Sequence, residues 1–102
     1  MGTLMKTPLL ALAMLAFTLS PARAADPTGE AMAATCAGCH GTQGRLGTVE
    51  FMPLAGLPEA EFVRAMTDFR TGKRLSTLMG HVARGFSDRE VRAMARYFAS
   101  IK

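Results

Sequence analysis

The stretch Cys36-Ala37-Gly38-Cys39-His40 holds both cysteines of the 102-residue chain and one of its two histidines. Two thiols three positions apart, followed at once by an imidazole, form the attachment pattern of c-type haem: the sulfurs make thioethers with the haem vinyl groups and the histidine reaches the iron. The spacing has a geometric reason, because two such cysteines reach two vinyls on one porphyrin edge while the next side chain turns under the metal. One inserted residue would misplace all three. Other chemistries open to these residues fit less well. A thioredoxin-like C-x-x-C site needs a βαβ surround that the sequence lacks. A zinc site could draw on Cys36, Cys39, His40 and His81, but His40 adjoins Cys39 and the two would struggle to reach separate corners of one tetrahedron. A disulfide across so short a gap would restrain the unfolded chain little.

Haem iron has a second axial position, and beyond the export segment described below the chain offers Met32, Met52, Met66, Met79, Met94 and His81 for it. Met66 and Met94 fall on apolar helical faces and read as core, and Met32 is too near the attachment motif to cross to the other haem face. Met79 is expected in a loop 39 residues beyond His40, with Gly80 after it. That gives it the reach, and it is the favoured ligand. Met52, beside Pro53, is the next candidate, and His81 follows. His40 with Met79 would close the iron, hold it at a relatively high potential and suit it to electron transfer rather than oxygen activation. A soft thioether favours Fe(II). The second nitrogen of His40 then needs a hydrogen-bond acceptor, for which a backbone carbonyl near Met52 or Pro53 is the candidate.

The elements that must position these groups read as helices. Asp26 or Thr28 can cap a helix running into the motif, with Met32 and its neighbouring alanines as a small, packable face. Residues 41–56 (GTQGRLGTVEFMPLAG) lack a helical period and are expected to wrap one haem face as an irregular loop. Pro58 with Glu59 and Glu61 marks a helix start; Phe62, Met66 and Phe69 share one face, and Gly72 ends it. Residues 73–80 read as a loop, His81–Arg84 as a short helix ended by Gly85. Ser87-Asp88-Arg89-Glu90 is a capping box that opens a last helix, with Val91, Met94, Phe98 and Ile101 on one face. Tyr97 is expected to pack against the first helix. The fold class is all-α.

Residues 1–24 carry Lys6, an apolar run of 11 residues from Leu9 to Leu19 and an Ala22-Arg23-Ala24 cleavage site. The run is well short of the roughly 20 residues a bilayer span needs, so the segment reads as a cleaved secretory signal and the protein as periplasmic. Setting aside Lys6 and Arg23, residues 25–102 hold ten Lys plus Arg against eight Asp plus Glu, a net charge of +2. Two haem propionates would bring that near zero, which gives no support to nucleic-acid binding. A 78-residue domain is near the size at which a hydrophobic core needs help, and covalent haem would supply it. Lys73, Arg74 and Arg84 flank Met79 as a candidate basic rim for an acidic partner surface.

With C-A-G-C-H near its start and a methionine before the last helix, the chain resembles the class I c-type cytochromes. It is more closely similar to the cytochrome subunit of flavocytochrome c sulfide dehydrogenase and related single-haem sulfur-oxidation cytochromes. The likeness rests on Ala55-Gly56-Leu57, Phe62-Val63, Ala65-Met66, Ser76-Thr77-Leu78-Met79-Gly80, Gly85-Phe86-Ser87-Asp88 with Glu90, and Ala93-Met94-Ala95 with Tyr97-Phe98-Ala99. It implies a small fold of three to four helices around one covalent haem c, with Met79 as distal ligand and a sulfide-oxidising flavoprotein as electron donor. Two features depart from the pattern. That subunit often has two haem domains where this chain has one motif. Class I members also tend to carry P-x-L-x-G, whose proline carbonyl bonds the proximal histidine, whereas Pro53-Leu54-Ala55-Gly56 is one residue shorter. The expected function is periplasmic one-electron transfer as partner of such a flavoprotein, with a free-standing shuttle as the alternative. A gas sensor or enzyme with an open sixth site is a further rival.

Overall fold

A computed structural model describes Gly2, residues 27–47 and residues 51–102. The expected export signal lies outside the described residues except for Gly2, as do Asp26 and residues 48–50 of the wrapping loop. The described residues form helices and turns with no strand, in agreement with the all-α expectation.

Helix α1 (Gly29–Ala33) is capped by Thr28, whose Oγ1 accepts the Ala31 amide at 3.1 Å. The chain then tightens into a 3-10 turn over Ala34–Cys36 before α2 (Ala37–His40), so the expected single helix into the motif is interrupted. Thr35 accompanies the break, its hydroxyl donating to the Met32 carbonyl at 2.7 Å. Such a side chain competes with the helical ladder for the same acceptor.

Helix α3 (Glu59–Thr71) follows Pro58 and ends at Gly72, a left-handed cap with φ 79°. Helix α4 (Met79–Arg84) begins two residues earlier than the sequence pattern suggests, so Met79 opens a helix rather than sitting in the preceding loop. Helix α5 (Asp88–Ser100) has the full capping box: Ser87 Oγ accepts the Glu90 amide and Glu90 Oε2 accepts the Ser87 amide.

One small core joins these pieces. Phe62 and Met66 from α3 meet Met94 and Phe98 from α5, with the Phe62 and Phe98 rings 5.5 Å apart. Tyr97 is half-buried and meets the Phe98 ring edge-on at 5.4 Å. Helix α1 lies across α5, burying Met32 and Ala33. The crossing is close enough that a Cβ on Gly29 would fall 2.2 Å from the Ala93 carbonyl oxygen. Gly44 fixes the wrapping loop: its carbonyl accepts the amides of Leu54 and Ala55 at 2.9 and 3.2 Å. Its φ of +72° suits glycine, and a Cβ there would meet the Leu54 Cβ at 2.7 Å.

At the Gly29 crossing the obstructing atoms are backbone, which cannot swing aside as a side-chain tip can. Gly29→Ala is expected to lower stability by about 1–3 kcal/mol through forced separation of α1 from α5. Denaturant unfolding of the variant beside the parent protein measures it, and an unchanged midpoint would contradict the close crossing.

Candidate functional site

An apolar cavity of about 350 Å³ opens between the motif segment, the wrapping loop, α3 and the start of α4. Cys36 and Cys39 line it together with Leu54, Phe62, Met66 and Met79. Both thiols are free. Burial pushes the Cys36 thiol above its ordinary pKa, against a smaller opposing effect from a hydrogen bond with Thr35, so it sits in the wall as a neutral group.

The His40 ring is held from two directions. Its Nδ1 lies 2.6 Å from the Met52 carbonyl oxygen, and the Phe51 ring stands nearly perpendicular to it with centroids 6.0 Å apart. A carbonyl can only accept, so Nδ1 carries the proton, which leaves Nε2 as the nitrogen that could offer a lone pair to a metal. The acceptor belongs to the residue just before Pro53, which answers the shortened Pro53–Gly56 pattern: the chain still brings a carbonyl to the ring.

Of the six axial candidates, Met52, Met66 and Met79 line the cavity, whereas Met32, Met94 and His81 are not among its lining residues. Met94 is wholly buried in the core, as expected. Met66 is also buried, yet it forms part of the cavity wall, a second role its place on the apolar stripe did not reveal. The backbone of Met52 is tied to His40. Met79 is half-buried, and Ser76 shapes its turn: the Ser76 Oγ accepts the Gly80 amide at 2.8 Å. Leu78 occupies the cap position without a side-chain bond. Ser76 therefore supplies, from two residues earlier, the acceptor that a capping side chain would give.

The anticipated basic rim is less uniform than the sequence suggested. Arg74 alone of the three borders the cavity, with its guanidinium 4.7 Å from the centre of the Phe69 ring. Lys73 lies 3.9 Å from Asp68, and Arg84 contacts Nδ1 of the exposed His81 at 3.0 Å. Leu75 and Leu78 stand at the cavity edge with 91% and 55% of their surface exposed. No group of three or more His, Cys, Asp or Glu able to hold a metal ion occurs among the described residues, so the rival zinc set of Cys36, Cys39, His40 and His81 is not assembled.

The chain is 36% identical over 77 residues to the cytochrome subunit of sulfide dehydrogenase from Chlorobaculum tepidum, covering 74% of this chain and 68% of that protein. It is 32% identical over 101 residues to cytochrome c-553 from Helicobacter pylori, covering 96% of this chain and all of that protein. The chain belongs to the class I c-type cytochromes. A third relative of this cytochrome, the thiosulfate dehydrogenase electron acceptor of Stutzerimonas stutzeri, is 41% identical over 65% of the chain, which spans only 32% of that longer protein. No protein-family model matches the chain. Membership makes the protein an electron-transfer protein with covalently attached haem c. The donor types fit that cofactor: the two free thiols and the Met79 thioether share one apolar cavity, while the His40 imidazole follows directly on Cys39 without itself being among the lining residues. No helix among the described residues is long and apolar enough to cross a membrane.

If Ser76 holds the first turn of α4, Ser76→Ala should cost about 1 kcal/mol locally. The Gly80 amide should then exchange with solvent roughly fivefold faster. Hydrogen exchange resolved by residue measures this, and equal rates in the two proteins would show that the hydroxyl contributes nothing.

Proposed function

We propose that this cytochrome is a periplasmic one-electron carrier, exported by residues 1–24, whose domain at residues 25–102 accepts electrons from a sulfide-oxidising flavoprotein. In this reading Cys36 and Cys39 bear the thioether links, His40 is the proximal iron ligand and Met79 the distal one. The observation that carries the sulfide assignment is the likeness to the C. tepidum sulfide dehydrogenase subunit across 68% of its length.

Haem c, when bound, supplies a single iron centre that takes up and releases one electron at a time. The chain's own residues would do the rest. Cys36 and Cys39 fix the cofactor's edge to the motif segment. The Met52 carbonyl, by accepting from Nδ1, keeps the His40 ring oriented and raises its basicity as a ligand. Phe62, Leu54 and Met66 exclude water from one side of the cavity, and a drier surround changes the balance between the two iron charges. Met79, as the distal ligand, would take the position that a substrate would otherwise need, which separates this reading from an enzyme or gas sensor. Arg74, beside the exposed Leu75 and Leu78, would give an incoming acidic surface both a charge and an apolar contact.

The second reading, a free-standing shuttle, draws on the end-to-end match to cytochrome c-553, a protein of similar length. Anaerobic mixing of the oxidised holoprotein with sulfide discriminates between the two. Haem reduction only in the presence of the candidate flavoprotein supports the subunit reading. Reduction at the same rate without it, or none with it, would sink the sulfide assignment and leave the carrier. For the ligand set, Met79→Ala is expected to make the reduced holoprotein bind carbon monoxide readily at neutral pH and to remove the thioether-to-ferric-iron absorption band. Ready carbon monoxide binding by the unaltered protein would favour the open-site rival instead.

A further inference from the structure

The far end of α4 is fastened by one side chain from α3. Arg70 directs Nε to the Ala83 carbonyl at 3.3 Å and Nη2 to the Phe86 carbonyl at 2.8 Å, while Nη1 pairs with Asp88 at the start of α5. Those two carbonyls belong to the last turn of α4 and the bend after it. Ala83 itself is wholly buried.

Helix α4 has six residues, far fewer than the roughly 12–15 at which an isolated helix becomes even marginal in water. Its geometry must come from what it is bound to. At its front, Ser76 fixes Gly80; at its rear, the last carbonyls have no partners within the helix and carry partial negative charge. A guanidinium placed there satisfies two acceptors at once with a charge-assisted donor set. Ala83 lies one turn from Met79, so whatever holds the Ala83 backbone sets where the Met79 thioether can stand.

We propose that Arg70 is a positioning residue for the Met79 thioether: it locks α4 to α3 through the Ala83 and Phe86 carbonyls and so keeps the sixth ligand in reach of the iron. This rests on Met79 being that ligand. The two carbonyl bonds carry the effect, not the ion pair. Asp88 is exposed, and although the hydrogen bond and charge of Arg70 hold its carboxyl below the ordinary range, exposed pairs contribute little. Arg70 is itself mostly buried, and removing it would leave part-buried carbonyls without a donor.

The test compares the holoprotein with Arg70→Met, Arg70→Lys, Asp88→Asn and Met79→Ala. It reads the thioether-to-ferric-iron band, carbon monoxide association with the reduced form, and helix content by far-ultraviolet circular dichroism. Arg70→Met should bind carbon monoxide roughly tenfold faster and lose the band on warming before helix content falls. Asp88→Asn should match the parent, and Arg70→Lys should recover part of the loss. A parental carbon monoxide rate in Arg70→Met overturns the proposal, as does band loss that coincides with unfolding. Asp88→Asn behaving like Arg70→Met overturns it too, by making the ion pair responsible. Should Arg70→Met fail to accumulate as holoprotein, Arg70→Lys decides, since an ammonium cannot span both carbonyls as the fork does: a several-fold rise supports the proposal and a parental rate overturns it. Met79→Ala separates the premises. If it leaves the band intact, the Met79 reading fails and the inference with it; if it abolishes the band while Arg70→Met does not alter ligation, the inference alone fails.

Discussion

The crossing of α1 over α5 governs how this molecule is put together. Gly29 approaches the Ala93 carbonyl so closely that no side chain fits between them, and Met32 and Ala33 are sealed beneath the contact. It joins the segment that carries the two cysteines and the histidine to the last helix of the chain. Helix α5 then presents Met94 and Phe98 to Phe62 and Met66 of α3. The motif and the far wall of the cavity are thereby referred to one rigid element, although they are distant in sequence. A chain this short has few other apolar contacts with which to set that relation.

From that frame the cavity follows as a surface the protein cannot close by itself. Leu54, Phe62 and Met66 turn apolar atoms toward it, and Phe51, Met52, Leu75 and Leu78 remain substantially exposed around it. Four large exposed apolar side chains around one opening would be a liability in a protein with no use for them. In a class I cytochrome they have a use, because the covalent cofactor offers a flat apolar plate against which they can pack. The cofactor, when bound, would therefore complete the core as well as supply the redox centre. This resolves the difficulty of a wrapping loop that has little regular structure of its own.

What could be read from the sequence was whatever depended on near neighbours. The Ser87–Glu90 capping box, the Phe62–Met66–Phe69 stripe and the Gly72 stop are local arrangements, and the structure has all three. The acceptor for His40 was placed to within two residues, since any chain that wraps the ring must bring a carbonyl there, and the structure selects Met52. The start of α4 is not legible in the sequence because its cap comes from Ser76, two positions outside the usual place, while Leu78 at the cap has no polar atom to offer. Gly29 gave no signal, because close approach is a property of two helices and not of either one. The role of Arg70 is hidden in the sequence for a similar reason. A basic residue in a last helical turn suits the helix dipole and is ordinarily solvated, and only the fold brings Ala83 and Phe86 to it.

Met79 and His40 are held by different means, and the difference bears on how an electron carrier should behave. His40 follows directly on Cys39, and its ring is steadied by a backbone carbonyl, so its place is set by covalent proximity and one short bond. Met79 heads a six-residue helix whose order is borrowed from Ser76 at one end and Arg70 at the other. Under the proposed ligation, the thioether side is the softer of the two and would yield first when the protein is stressed. A carrier gains from this asymmetry only if the softer side does not move during each transfer. Tying the rear of α4 to α3 through Arg70, with the first turn held by Ser76 of the preceding loop, would meet that requirement by removing freedom that a loop-borne methionine would have kept.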